Sequence, residues 1–185
     1  MKKIKTGLKD AFIIEPDVFS DNRGWFCEVY SKKKLEELGI YADFVQDNAS
    51  RSTTIGTVRG LHCQTSPHSQ AKLVSCVRGT VIDIIVDVRK GSPTYKKWEA
   101  FELSEENHRM LYVPKGFLHG FVTKTDDVEL RYKVDDYYSS EYDRSICYCD
   151  EEFAIEWGVD NPVLSQKDKE APLFKDTDVS YEYDE

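Results

Sequence analysis

Residues 72–88, KLVSCVRGTVIDIIVDV, carry the reading of the fold. Lys72–Val77 is a strand-like run closed by Arg78-Gly79, and Thr80–Val88 follows at once. In the second run Ile82, Ile84, Val86 and Val88 fall on one face, and Val81, Asp83, Ile85 and Asp87 on the other. Outward from this pair the pattern repeats, with Phe26–Tyr30 upstream and Trp98–Leu103, Met110–Val113, Gly120–Thr123, Val128–Val134 and Ile146–Tyr148 downstream. Gly-Ser-Pro, Pro-Lys-Gly and Thr-Asp-Asp turns divide these runs at the spacing of an antiparallel sandwich or barrel. Strands alternating with full helices are absent, so the expected class is all-β.

Two short helical extensions are predicted. Ser31–Leu38 has a Ser N-cap, Leu35 and Leu38 on one side and Gly39 as its stop, and a second helix starts near Ser165. No repeat or linker divides the 185 residues. The expectation is one domain over 1–185, with a core over about 10–170. An acidic, Tyr-bearing tail over 176–185 is expected to lie loosely or to pack on a neighbour.

A formal net charge of −9 argues against general nucleic-acid binding, which needs a basic field. It leaves room for an anionic small ligand, because a few clustered arginines reverse the potential locally. The five cysteines (27, 63, 76, 147 and 149) are odd in number and form no CxxC pair, which points to free thiols in a reducing cytoplasm. Cys147 and Cys149, projecting to one face of a strand, supply too few ligands for a metal site. The only apolar run near the N-terminus is Ala11–Ile14, too short for a secretory signal, and no later stretch approaches a membrane span.

Pro114-Lys115-Gly116-Phe117-Leu118-His119 lies between two strands and resembles the second half of the cupin signature, whose His ligates a metal. The first half of that signature carries HxH. Here the stretch is His62-Cys63-Gln64, so the usual ligand set cannot be assembled. The expectation is a double-stranded β-helix that holds no metal and keeps its cavity.

Chemistry in such a cavity falls to its side chains. His62, Lys72 and Tyr132 together suit proton abstraction beside a carbonyl: an imidazole base, an ammonium for the enolate oxygen and a phenol to return a proton. Taken singly, His62 could be a satisfied histidine, Lys72 a solvated charge at the barrel mouth and Tyr132 strand packing. Asp168 has two readings. It completes a Ser165-x-x-Asp168 capping pattern, or it orients His62; the roles are compatible. Arg23 and Arg59 each precede a glycine, an arrangement suited to phosphate oxygens or to an ordinary turn.

Taken together, the chain resembles the dTDP-4-dehydrorhamnose 3,5-epimerase family. The resemblance rests on an ordered set of stretches. They are Asp21-x-Arg23-Gly24-x-Phe26-x-Glu28, Gln46-Asp47-Asn48-x-Ser50-x-Ser52, the RGLH within Gly56–Gln64, and Gln70-Ala71-Lys72-Leu73-Val74. Next come Val86–Arg89 running into Ser92-Pro93-Thr94-Tyr95-x-x-Trp98, then Val113-Pro114-x-Gly116-Phe117-x-His119-Gly120-Phe121 and the Tyr132 strand. Tyr137-Tyr138, Ile155-x-Trp157 and Leu164-Ser165-x-Lys167-Asp168 complete the set, which spans positions 21 to 168.

The resemblance implies a cupin-type jelly roll, a cytoplasmic homodimer, and a reaction without cofactor that inverts C3 and C5 of a dTDP-linked 4-keto-6-deoxyhexose. It implies His62 as base, Asp168 as its orienting partner, Tyr132 as acid, Lys72 as enolate support and His119 as a lining of the sugar site. Arg59 and Arg23 would hold the diphosphate, with Phe26 and Tyr138 against the nucleoside. Glu28, Gln46, Asn48, Glu141 and Lys167 are further contacts of the same origin. Related cupins invert a single centre or move the ketone between C3 and C4, and a cupin that only binds a nucleotide sugar is the reading from outside enzymology. Cys63 departs from the family's usual aromatic residue, and alternation points it away from His62.

Overall fold

The computed structural model describes residues 1–184. In chain order its strands are β1 (Lys2–Lys5), β2 (Phe12–Glu15), β3 (Val18–Asp21), β4 (Gly24–Cys27), β5 (Gln46–Ser52), β6 (Val58–Gln64), β7 (Lys72–Arg78) and β8 (Thr80–Asp87). They continue as β9 (Arg89–Lys90), β10 (Trp98–Ser104), β11 (Met110–Val113), β12 (Phe117–Thr123), β13 (Val128–Val134), β14 (Asp143–Ser145) and β15 (Tyr181–Glu182). Two sheets make the body, one ordered β1-β2-β11-β7-β13-β5 and the other β10-β8-β12-β6-β14. All pairs within them are antiparallel. The fold is a cupin-type jelly roll.

The Arg78-Gly79 turn does not close a hairpin. It carries the chain from β7 in one sheet to β8 in the other, and β8 then pairs with β10 and β12. Both faces of β8 are buried. Val81 and Ile85 join Val74, Leu111, Phe117 and Leu130 between the sheets, whereas Ile84, Val86 and Val88 pack outward against Phe153, Trp157, Phe174 and Val179. Each fully buried aliphatic side chain stabilises the fold by roughly 1.5–3 kcal/mol through area removed from water. The outer layer comes from the C-terminal third of the chain, because this sheet has a second apolar face to cover.

That need explains why the tail packs rather than lying loose. Val179 is buried in the outer layer, β15 pairs in parallel with β9, and Arg144 binds Asp178 at 2.6 and 2.7 Å. Arg89 stacks between Phe117 and Tyr183 and is held by Asp87, which also accepts hydrogen bonds from Ser92 (2.5 Å) and Thr94 (2.7 Å). Glu185, the end of the predicted tail, lies outside the described residues.

α1 (Lys32–Glu37) is capped by Ser31 and buries Leu35 against Ile14, Ile40, Leu73 and Met110 on the outer face of the larger sheet. α2 (Gln166–Lys169) is capped by Ser165. Two predicted strands are corrected. Phe26–Tyr30 gives way to β4, which pairs with β3 in an exposed hairpin and ends at Cys27. Ile146–Tyr148 is not a strand: β14 stops at Ser145, Ile146 exchanges two last backbone bonds with Leu61, and the chain turns at Tyr148 and Cys149. Ile146 is apolar because it is a fully buried member of the outer layer.

Candidate active site

Between the open ends of the two sheets lies a cleft of about 530 Å³, lined by Arg51, Ser52, Arg59, His62, Lys72, His119, Tyr132 and Asp168 among others. A second lobe of about 270 Å³ shares His62, Lys72, Tyr132 and Lys167 and adds Gln46, Asn48, Cys63, Gln64, Gln70, Tyr138 and Asp143. The two sheets contribute different chemistry. β6 and β12 supply His62 and His119, which are cross-strand partners, and β7 and β13 supply Lys72 and Tyr132.

The approach of β6 to β12 depends on two glycines. A Cβ on Gly60 would lie 2.6 Å from the Cα of Gly120, and one on Gly120 would lie 2.9 Å from the carbonyl oxygen of Arg59. Gly60 also has φ +129°, a conformation side chains resist. These residues flank the two histidines, so the RGLH and HGF stretches bring the imidazoles onto one wall.

His62 Nε2 is 2.6 Å from Asp168 Oδ1, the histidine half-open to the cleft and the carboxylate 3% exposed. Asp168 Oδ2 accepts from Ser165 Oγ at 2.7 Å, while the same Oγ caps α2 by accepting from the Asp168 backbone N–H at 3.1 Å. The helix cap and the contact with His62 are therefore both present in Asp168 and Ser165. Burial pushes this carboxyl up, but the hydrogen bonds from His62 and Ser165, with the charges of His62 and Lys167, outweigh that and hold it below the ordinary aspartate value.

His119 is buried, and its Nε2 lies 2.9 and 3.0 Å from the two oxygens of Asp83. Asp83 was not among the predicted site residues. Strand alternation places it on the inner face of β8, but its partner is one strand away in space and 36 residues away in sequence.

Burial lowers the Lys72 ammonium below the ordinary lysine value, opposed only partly by the charges of Cys63, Asp83 and Asp143. No carboxylate pairs with Lys72 among the described residues, and its Nζ stands 5.9 Å from the centroid of the Tyr132 ring. Burial likewise raises the Tyr132 phenol, against a smaller lowering by Arg59. Arg59 donates to Ser52 Oγ and the Arg51 carbonyl, both at 3.0 Å, so its guanidinium is oriented without being neutralised. Arg51, beside it on the wall, is paired with Asp127 at 2.6 Å.

Four predicted contacts are not brought to the cleft. Arg23 pairs with Asp21 at 2.6 Å, Glu28 pairs with Lys34 at 2.8 Å, and Phe26 is 69% exposed; all three belong to the β3–β4 hairpin or the residue just after it. Glu141 is exposed outside both lobes, and Asp143, two residues on, lines the second lobe and pairs with Lys167. The strand β14 begins only at Asp143, and its register against Gln64 turns that carboxylate to the cavity. Cys63 packs in the outer layer and borders only the second lobe, and burial pushes its thiol up to about 11. Among the described residues no group of three or more His, Cys, Asp and Glu side chains could hold a metal ion.

Fold and site together define a cupin-type isomerase, a jelly roll whose open end is equipped to move protons. The chain belongs to the dTDP-4-dehydrorhamnose 3,5-epimerase family, whose model matches residues 5–176. It is 48% identical to the dTDP-4-dehydrorhamnose 3,5-epimerase of Shigella flexneri over 96% of this chain and 98% of that one. Among solved structures, the Bacillus anthracis enzyme of that name with TDP and pyrophosphate bound is 50% identical, with TM-score 0.92 over 94% of this chain and 99% of that one. The Legionella pneumophila dTDP-6-deoxy-D-glucose-3,5-epimerase in complex with dTDP-4-keto-L-rhamnose is 44% identical, with TM-score 0.94 over 100% of this chain and 99% of that one.

Proposed function

We propose that this protein converts dTDP-4-dehydro-6-deoxy-D-glucose to dTDP-4-dehydro-L-rhamnose by inverting C3 and then C5. The observation that carries the proposal is the His62–Asp168 pair at 2.6 Å on one wall of a cleft whose other sheet presents Lys72 and Tyr132. With Nε2 tied to Asp168, Nδ1 is the nitrogen left to take a proton. Hydrogens next to the C4 ketone are the acidic ones of the ring, since their removal delocalises charge onto the carbonyl oxygen.

In each half-reaction His62 takes the proton from carbon and becomes imidazolium, stabilised by Asp168. The enolate oxygen supplies the counter-charge that Lys72 lacks, and Tyr132 delivers a proton to the opposite face of the carbon. Exchange with water then returns His62 to its neutral form and Tyr132 to its phenol, so the enzyme is regenerated and no cofactor is consumed. His119 and Lys167 line the sugar end. Arg59 faces the diphosphate, and Gln46, Asn48 and Tyr138 form the nucleoside wall.

A homodimer belongs to the same reading. The hairpin bearing Arg23 and Phe26, with Glu28 next to it, does not line its own chain's cleft, and it exposes Val18, Phe19, Trp25 and Phe26. A second copy would cover that apolar surface and receive Arg23, Phe26 and Glu28 at its own cleft, with Glu141 at the rim. Free cysteines fit the cytoplasm, where nucleotide sugars are made, and no described helix is long and apolar enough to cross a membrane. The charge of −9 speaks against nucleic acid as a partner.

The test is turnover of dTDP-4-keto-6-deoxyglucose in D₂O, followed by NMR at C3 and C5. Deuterium at both carbons, lost in His62→Ala, is the expected result. Deuterium at C3 alone would make this a single-centre epimerase, and ketone migration a ketoisomerase. Binding without exchange would leave a nucleotide-sugar binder.

A further inference from the structure

Gln64 stands where the cupin signature carries its second histidine, and its side chain is buried, with 4% of the residue exposed. A primary amide offers two N–H donors and a carbonyl acceptor. Here every one is used on backbone. Nε2 donates to the carbonyls of His68 at 2.7 Å and Tyr137 at 3.2 Å, and Oε1 accepts from the Ser139 N–H at 2.7 Å. The backbone N–H of Tyr138 between them donates to Gln46 Oε1 at 3.2 Å. Three consecutive residues of the β13–β14 connection are therefore held by two glutamine side chains, and the middle one is Tyr138.

The backbone of Gln64 extends the clamp in two further directions. Its register partner on β14 is Asp143, whose carboxylate is 3.4 Å from the Tyr138 hydroxyl. Its carbonyl oxygen accepts from the hydroxyl of Tyr181 in the tail. Tyr138 itself is 59% exposed, so packing alone does not fix its placement. An exposed aromatic ring contributes to binding only when its backbone is already fixed, because otherwise ordering it on binding costs entropy.

We infer that Gln64 is a positioning residue for nucleotide binding, acting through the 137–139 loop to pre-set Tyr138 rather than through any contact with the reacting carbons. The inference rests on the reading of Tyr138 as a wall of the nucleoside site. Gln64 ends the strand that carries His62, but its side chain bonds only the backbone of His68, Tyr137 and Ser139 and none of His62, Lys72 and Tyr132, so loss of the clamp raises KM and leaves kcat nearly unchanged.

The experiment is a double-mutant cycle on the full chain with Gln64→Met and Tyr138→Ala, reading dTDP affinity by calorimetry and kcat by solvent-deuterium incorporation. Gln64→Met is expected to weaken dTDP about tenfold in the Tyr138 protein and less than about twofold once Tyr138 is gone, with kcat within about twofold of the parent. Equal weakening in both backgrounds, or a loss confined to kcat, overturns the inference while leaving the reading of Tyr138 intact. If Tyr138→Ala leaves dTDP affinity unchanged, that reading falls and the inference falls with it. Should Gln64→Met not fold, Gln64→Glu decides by the same criteria: it keeps the acceptor for Ser139 and turns a carboxylate oxygen against the two carbonyls.

Discussion

Asp168 reaches His62 from a four-residue helix, with one carboxylate oxygen on the imidazole at 2.6 Å and the other on the hydroxyl that caps the helix at 2.7 Å. The helix cap and the contact with the imidazole are one hydrogen-bonded unit, in which Ser165 holds the carboxylate and the carboxylate holds the ring.

Asp168→Asn keeps a side chain of the same shape and the Ser165 cap, and removes the charge opposite the imidazolium. Turnover should fall by about 10²–10⁴, as for loss of a group that makes the base effective. The same variant tests a pH effect. The folded carboxyl titrates below the unfolded one, so its stabilising contribution is present above the unfolded value near pH 4 and is lost as pH falls through the folded value. Urea unfolding at pH 7 and pH 3 should show a smaller loss of stability on acidification in Asp168→Asn than in the parent.

Lys72→Met removes the unpaired ammonium while filling its space. Enolate stabilisation of this kind is worth about 10²–10³ in rate, so deuterium incorporation should slow by that factor at both carbons. Affinity for dTDP, measured by calorimetry, should change by less than about threefold. A variant that loses dTDP binding and exchanges normally would place Lys72 at the nucleotide instead.

Gly60→Ala sets a methyl 2.6 Å from backbone at Gly120, where no side chain can swing away. A cost of about 3 kcal/mol or more is expected in urea unfolding, among the larger effects of single substitutions. Any folded fraction should have a displaced His62 and correspondingly slow turnover. Unchanged stability would contradict the described contact of β6 with β12.

The tail covers the outer layer that contains Cys63. Deleting residues 177–185 should expose that thiol, so alkylation of Cys63 followed by peptide mass spectrometry should speed up at least about tenfold relative to the full chain at equal pH. Cys149, already exposed, serves as the internal reference and should be unaffected. Tyr181→Phe should give a milder effect, near the 0.5–1.5 kcal/mol of about one hydrogen bond.

Much of the architecture was legible along the chain. Met110–Val113 and Val128–Val134 are read with the bounds the structure has, the first as a short apolar run between turns and the second because its alternating apolar residues leave one register that buries them. Both helix caps are local hydrogen bonds, legible from Ser31 and Ser165. The Phe26–Tyr30 and Ile146–Tyr148 runs misled for the opposite reason: their apolar residues answer to an exposed hairpin and to the outer layer, neither of which a strand period encodes.

His62, His119, Lys72, Tyr132 and Asp168 were all named from sequence, and all line one cleft. Taken singly each had an ordinary structural reading, and it was the ordered set of family-like stretches that picked them out together. Asp83, Asp143 and the role of Gln64 could not be read from the chain, because His119 lies 36 residues from Asp83 and Ser139 lies 75 from Gln64, and Asp143 is turned to the cavity only by its strand register against the distant Gln64. The sequence by itself determined the all-β class, the central strands from Lys72 to Val134, the two helix caps and the kinds of group available for proton transfer. Tertiary structure decided which carboxylate holds which imidazole, since a hydrogen bond forms between neighbours in space, and pairing across two sheets is set by packing rather than by order along the chain.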